Sequence, residues 1–172
     1  ARKATLAAAK YEGPVYIRVG RSNTPVVTTT ESPFEIGKAV VMYKKDEKYE
    51  NSVGIIVTGT LLFNAIKAAQ ALQDKGIGAT VLHMPTIKPL DTEALLKLAK
   101  NHSGLVTVEE HQRAGGLGGA VCEYLSEVKP IKIARVGVDD MYGQSGEPDE
   151  LIEYYGMGEE GILNASMKVL ND

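Results

Sequence analysis

The stretch VTVEEHQRAGGLGGAV, residues 106–121, contains the features that predict the fold. An apolar run with the composition of a β-strand ends in two glutamates and a histidine. Two glycine pairs follow, and then a segment with helical character. A strand, a charged turn, a glycine turn and a helix in this order place polar groups at the carboxyl end of a strand. In open α/β sheets, ligands and partners bind at that edge.

Segments on both sides of this stretch alternate between strand-like and helix-like patterns. The segments between the apolar runs repeat apolar residues at helical spacing, which predicts amphipathic helices. Strands alternating with helices predict an α/β fold with an open, mostly parallel five-stranded sheet and helices on both faces. The other four strands are predicted at residues 39–43, 53–58, 80–84 and 131–136, the last as an edge strand.

A break in the pattern divides the chain near residue 34. Residues 1–12 read as the tail of a helix and residues 15–19 as a strand, whereas residues 22–33 are rich in Ser, Thr and Pro and indicate a linker. A lone strand and helix cannot bury their own apolar faces. We therefore predict that residues 1–33 are the tail of a preceding domain with its linker, truncated or cleaved, and that residues 34–172 form the next domain.

The composition argues against several classes of protein. A net charge of −3 gives no electrostatic case for binding nucleic acid or an anionic membrane surface. No apolar run approaches the roughly 18 residues that suggest a membrane span. The single cysteine, Cys122, cannot form an intrachain disulfide, which favours a reducing, cytoplasmic location. The histidines lack the spacing of metal ligands, so no metal site is predicted.

The glycine turn allows two interpretations. Gly116 and Gly118 begin a dinucleotide-binding pattern, and an acidic pair lies about 20 residues further on, but Val121 stands where the third glycine belongs. Alternatively, Gly115, Gly116 and Gly118 form a corner that needs a positive φ and close packing of the next helix. We favour the corner, because short glycine patterns often match by chance.

Glu109, Glu110 and His111 suggest an acid–base cluster, since a histidine beside carboxylates can move protons near neutral pH. Successive strand residues point to opposite faces, however, so at most one of the two glutamates shares a side with His111. We favour a corner or subunit-interface role for Glu110 and His111 and assign no catalytic residue.

Arg18 and Arg21 flank the end of the strand predicted at residues 15–19. An arginine at the carboxyl end of a strand is well placed to bind a phosphate group through two hydrogen bonds. The alternative is a pair of solvated surface charges, and the residue pattern alone leaves both interpretations open.

Four segments together resemble the C-terminal part of transketolase, in the family's order and spacing. The resemblance runs across nearly the whole chain, and its segments are GPVYIRVGR (residues 13–21), TIKPLD (86–91), VTVEEHQRAGGLGGAV (106–121) and SGEPDEL (145–151). 1-Deoxyxylulose-5-phosphate synthase and the β subunits of 2-oxoacid dehydrogenases share this layout. The second and fourth segments favour transketolase proper over these relatives.

The resemblance implies a reaction of the pentose phosphate pathway, in which a two-carbon ketol unit moves between sugar phosphates. It implies thiamine diphosphate and a divalent metal such as Mg²⁺ as cofactors, held mainly by domains outside this chain. It assigns residues 1–21 to the end of a pyrimidine-binding domain and gives Arg21 the role of binding the substrate phosphate.

The implied partners are a second copy, forming a homodimer, and the missing N-terminal domains or a separate subunit. By the same resemblance, residues 106–121 have a structural or interface role, and the chain alone is expected to be inactive. A nucleotide-binding regulatory module remains the alternative from a different functional class.

Overall fold

A computed structural model describes residues 1–171, with a five-stranded sheet at its centre. The sheet has the order β1-β3-β2-β4-β5, in which β2 to β5 are parallel and β1 pairs antiparallel with β3. The prediction of an open, mostly parallel five-stranded sheet is therefore confirmed. The strands are β1 Val40–Tyr43, β2 Ser52–Val57, β3 Gly78–His83, β4 Gly104–Gln112 and β5 Ile133–Val138.

Helices cover both faces of this sheet, as predicted. One face packs against α2 and α6 and the other against α3 and α4, so each face has its own apolar core. A 3-10 turn at Gly59–Leu61 precedes α2. The helices are α1 Arg2–Ala8, α2 Leu62–Asp74, α3 Thr92–Lys100, α4 Leu117–Val128, α5 Pro148–Tyr154 and α6 Glu159–Asn171.

Local sequence signals set the positions of these elements. Every residue of β2 is buried, as its continuous apolar run predicts for a strand covered on both faces. Gly76 has φ +78° and ends α2, since this conformation is favourable for glycine. Asp91 caps α3 through Oδ1, which accepts a hydrogen bond from the Ala94 amide at 3.0 Å.

The strand predicted at residues 15–19 is not formed. Residues 14–20 have no regular secondary structure and belong to no sheet in the described chain, and the Tyr16 side chain is 89% exposed. β-Branched and aromatic residues stabilise a strand only when a neighbouring strand pairs with it. Nearby, Val27 packs against the core, and the Lys3 ammonium donates a hydrogen bond to the Thr29 carbonyl at 3.3 Å.

Within residues 1–171, no helix combines the length and the apolar character needed to cross a bilayer.

Candidate functional site

The parallel strands bring their carboxyl ends to one edge of the sheet. Val57, the last residue of β2, lies beside both His83 of β3 and Val108 of β4. This edge therefore collects the turn after β2, the end of β4 and the loop after β5, where open α/β sheets bind ligands. The charged and glycine-rich stretch at residues 106–121 lies here, as the sequence predicts.

The sequence predicts this strand at residues 105–109, but β4 runs three residues further, to Gln112, and its end is irregular. Three residues separate Val108 from Gln112 in β4, whereas Gly137 alone separates their partners in β5. A bulge of this kind redirects side chains next to a site. A Cβ atom on Gly137 would lie 2.8 Å from the His111 carbonyl oxygen, so the bulge needs glycine at this position.

Glu109 holds the start of α4. Its Oε2 accepts a hydrogen bond from the Leu117 amide and its Oε1 one from the Gly118 amide, both at 2.8 Å. The side chain is buried, with 1% of its surface exposed. The helix N-terminus favours negative charge and has amides that lack partners in the helix, so the carboxylate satisfies both requirements.

Three of the four glycines at this corner have defined roles. Gly115 has φ +77°, and a Cβ on Gly116 would lie 1.9 Å from Glu109 Oε2. A Cβ on Gly118 would lie 2.8 Å from Thr107 Oγ1, which leaves no space for a side chain. The Glu109 carboxylate occupies the place where a bound pyrophosphate would meet the helix amides. The geometry supports the corner interpretation rather than the nucleotide site.

Glu110 is directed away from Glu109 and toward the turn after β2. The Thr60 hydroxyl donates a hydrogen bond of 2.5 Å to Glu110 Oε2. Thr60 follows Gly59, which has φ +70°, in the 3-10 turn between β2 and α2. This hydrogen bond connects the carboxyl ends of β2 and β4, two adjacent strands of the sheet.

His111 forms no acid–base pair with either glutamate. Its ring is exposed, and Nδ1 lies 3.1 Å from the carbonyl oxygen of the next residue, Gln112. The structure therefore directs Glu109, Glu110 and His111 to three separate environments. An acid–base cluster is not assembled at this position, and the arrangement is a structural corner.

Arg21 is exposed and lies in a bend that follows residues 14–20, which have no regular secondary structure. It takes part in none of the ion pairs found in residues 1–171. Its neighbour Gly20 packs against the turn after β2, where a Cβ on Gly20 would lie 2.8 Å from Thr60 Cγ2. The backbone that carries Arg21 therefore reaches the same edge of the sheet as Glu110.

The described residues form no cluster of three histidine, cysteine or acidic side chains that would hold a metal ion. The one cysteine, Cys122, is half-buried, and burial raises the pKa of its thiol, which disfavours the nucleophilic thiolate. Burial lowers the pKa of His83 and of His102, which favours neutral imidazoles.

Two functional features of the corner do not follow from the sequence. β4 is buried on both faces up to Glu109. The alternation of polar and apolar residues therefore does not indicate which way the Glu109 side chain points. Thr60 contacts Glu110 across 50 positions of sequence. A threonine directly after a strand and a glycine is the available signal, and it is a weak one.

Comparison with known proteins shows which family this chain resembles. Residues 43–162 match the family model described as the transketolase C-terminal domain. A protein of Methanocaldococcus jannaschii named putative transketolase C-terminal section is 39% identical over 163 residues, which are 93% of this chain and 49% of that protein. A 1-deoxy-D-xylulose-5-phosphate synthase of Pseudoalteromonas translucida is 38% identical over 161 residues, which are 24% of its length.

A solved structure agrees with these sequence matches. It is described as a split-gene transketolase, inactive β4 tetramer, and is 41% identical to this chain with a TM-score of 0.91. The match covers 99% of this chain and 54% of that one. This chain thus spans about half the length of both the archaeal relative and the solved structure.

Proposed function

The chain belongs to the transketolase family through its C-terminal domain, and we propose that it works as the C-terminal part of a transketolase. In this proposal the whole enzyme transfers a two-carbon ketol unit between sugar phosphates. Residues 1–33 are then the tail of the pyrimidine-binding domain with its linker, and residues 34–172 are the C-terminal domain.

The position of Arg21 is the observation that supports this proposal most directly. Its backbone lies at the carboxyl edge of the sheet through the contact of Gly20 with Thr60, and the guanidinium is exposed. Guanidinium groups match the geometry of phosphate oxygens and bind them through two parallel hydrogen bonds. We propose that Arg21 binds the phosphate group of the sugar substrate.

The cofactor is proposed to bind outside this chain. Among the described residues, the N-terminus of α4 is filled by Glu109, and no cluster of side chains suits a divalent metal. These residues do not fit thiamine diphosphate with its metal. We propose that another part of the enzyme, on the same chain or on a separate subunit, supplies that site, and that this chain is inactive alone.

A partner is therefore part of the proposal. Met141 and Tyr142 follow β5 at the same edge and are 49% and 98% exposed. Gln112 Nε2 donates a hydrogen bond of 3.0 Å to the Met141 carbonyl, which holds the loop in place. A fixed loop with exposed apolar side chains suits a subunit contact. We propose a homodimer that also contains the cofactor-binding part.

Arg21→Ala tests the proposed substrate contact in the assembled enzyme. A hydrogen bond to a charged group contributes about 1.5–3 kcal/mol, so we expect the KM for the sugar phosphate to rise about tenfold to hundredfold. The measurement is steady-state kinetics with a phosphorylated acceptor. Arg2→Ala, which removes an exposed arginine from α1, is the matched control and should leave KM unchanged. An unchanged KM in Arg21→Ala would refute the assignment.

The relative with synthase activity in its name supports a second candidate within the same family. If the whole enzyme is a 1-deoxyxylulose-5-phosphate synthase, the assembled protein should form that product and show no ketol transfer between sugar phosphates. Assaying both products with one preparation separates the two functions.

A further inference from the structure

We propose that Thr60 and Glu110 are positioning residues that hold the Gly20–Arg21 backbone at the edge of the sheet. They would thereby set the reach of the Arg21 guanidinium toward a phosphate group. This inference rests on the proposed role of Arg21, but the contact itself is testable without substrate.

Buried residues of the domain core flank Thr60 on both sides along the chain and fix its position. It lies between β2, whose six residues are all buried, and Leu61, which is fully buried. The Thr58 amide donates a hydrogen bond of 3.1 Å to the Val108 carbonyl and fixes the turn to β4. The backbone of Thr60 therefore has a set position relative to both central strands.

Glu110 fixes the orientation of the Thr60 side chain. The hydroxyl donates to Glu110 Oε2 at 2.5 Å, and threonine has few χ1 rotamers, so its methyl direction is set at the same time. Glu110 directly follows Glu109, whose carboxylate accepts two backbone hydrogen bonds from the start of α4 and so restrains the backbone at this end of β4. The chain of contacts thus runs from α4 through β4 to Thr60.

The Thr60 methyl group packs against the segment that carries Arg21. A Cβ on Gly20 would lie 2.8 Å from Thr60 Cγ2, so the glycine backbone packs closely against this methyl. In the described chain, the backbone of residues 12–28 makes no hydrogen bond. Packing against Thr60 is therefore an important restraint on the segment from which the Arg21 side chain extends.

The two groups of Thr60 can be removed separately. Thr60→Val keeps a methyl for Gly20 but removes the hydroxyl that Glu110 orients, whereas Thr60→Ser keeps the hydroxyl and removes the methyl. Glu110→Ala removes the acceptor, and Glu110→Gln keeps an oxygen that can accept. Glu127→Ala is the matched control, because it removes an exposed glutamate at the end of α4.

Backbone NMR relaxation tests the contact in the chain as it exists. We expect Glu110→Ala, Thr60→Val and Thr60→Ser to lower the backbone order parameters at residues 15–22, and Glu110→Gln to restore most of that loss. Glu127→Ala should match the wild-type chain. Wild-type order parameters at residues 15–22 in both Glu110→Ala and the milder Thr60→Ser would overturn the inference, even if one variant were poorly folded.

Kinetics of the assembled enzyme test the consequence. Glu110→Ala removes the hydrogen bond between the Thr60 hydroxyl and the Glu110 carboxylate. We expect this loss to raise the KM for the phosphorylated acceptor by about threefold to tenfold. We expect kcat, and the KM for an acceptor without phosphate, to change less than about twofold, since a positioning role affects only phosphate binding. Equal losses with both acceptors would indicate general damage and would overturn the inference.

The two readouts separate this inference from the proposed function. If Arg21→Ala leaves KM unchanged, the proposed role of Arg21 fails, whatever the order parameters show. If Arg21→Ala raises KM but Glu110→Ala changes neither the order parameters nor KM, the role of Arg21 stands and the positioning inference fails.

Discussion

The Glu109 carboxylate is buried, and burying a charge is costly unless hydrogen bonds compensate for it. Two backbone amides at 2.8 Å and the positive end of α4 provide that compensation. Both carboxylate oxygens are used in these bonds. Glu109 is therefore a structural group of the corner rather than an acid or a base.

The sequence predicts which residues lie at this corner but not what each side chain contacts. Glu110 and His111 are at the predicted position, but among residues 1–171 His111 forms no pair with a carboxylate. The contact of Glu110 with Thr60 joins residues far apart in sequence and depends on the bulge in β4. The residue pattern around Glu110 predicts neither its contact with Thr60 nor the bulge in β4.

His102 is a half-buried polar group whose environment has a measurable consequence. Its Nδ1 lies 2.8 Å from the Leu98 carbonyl oxygen and its Nε2 lies 2.9 Å from Thr80 Oγ1. A carbonyl can only accept, so Nδ1 carries the proton in the neutral ring, and Nε2 accepts from the threonine hydroxyl. Burial, with a smaller contribution from the Lys45 charge, lowers the pKa of His102.

This lowered pKa predicts that the fold loses stability in mild acid. The unfolded chain binds a proton at His102 as the pH falls through about 6.5, before the folded chain does, so the free energy of unfolding decreases with falling pH in that range. We expect His102→Asn, which keeps a donor for Leu98, to show a shallower decrease between about pH 7.5 and 5.5. Urea titrations at each pH measure it.

His111→Asn is the matched control for this experiment, because the His111 ring is exposed and its Nδ1 lies within hydrogen-bond distance of the neighbouring Gln112 carbonyl. His83 has a pKa lowered by burial as well and keeps its own part of the pH dependence in both variants. The interpretation would be wrong if His102→Asn and His111→Asn gave the same slope as the wild-type chain.

At the scale of elements, the start of α4 depends on a contact rather than on helix propensity. Its N-cap residue is Gly116, which has no side chain to accept the first amides. Glu109, which lies in the preceding strand, supplies the acceptor instead. The strand, the turn and the helix are thus one cooperative unit, held by bonds that span eight and nine positions of sequence.

Two glycine substitutions in this unit should change stability in opposite directions. Gly116→Ala places a methyl where the Glu109 carboxylate lies, so we expect a loss of about 2–4 kcal/mol in the free energy of unfolding. Gly119→Ala adds a methyl with nothing within 4 Å, inside α4, and should gain about 0.5–1 kcal/mol. Chemical denaturation measures both, and equal effects would contradict the assigned role of Gly116.

Elements with strong local signals are the ones that the sequence predicts well. The buried run of β2, the Asp91 cap of α3 and the glycine stop after α2 depend on near neighbours. The predicted strand at residues 15–19 fails because a strand needs a partner, and none of the described strands pairs with it. The antiparallel direction of β1 is likewise set by its pairing with β3 and not by its own residues.

At the scale of the whole molecule, the chain has a complete sheet with two covered faces but spans about half the length of the archaeal relative. Residues 43–162 match the family model of the C-terminal domain, whereas the proposed substrate contact, Arg21, precedes the sheet in a segment without regular secondary structure. Under the proposal, this domain completes an active site that other parts of the enzyme contain.

This division predicts that the chain alone does not bind the cofactor tightly. We expect isothermal titration calorimetry of the isolated chain with thiamine diphosphate and Mg²⁺ to show no saturable heat, because the described residues fit neither the diphosphate nor the metal. The assembled enzyme, titrated in the same buffer, is the positive control. Tight binding to the isolated chain would place the cofactor site within it and would contradict the proposal.

The carboxylate at the N-terminus of α4 also has a consequence for metabolic control. A helix N-terminus with free amides can bind phosphate groups, but here the protein provides its own anion, so we expect this corner not to bind phosphorylated metabolites. Thermal-shift measurements with NAD and ATP should leave the melting temperature unchanged, whereas a shift that Gly116→Ala abolishes would reveal a nucleotide site. Under this expectation, the level of nucleotides in the cell does not act on the protein through this corner.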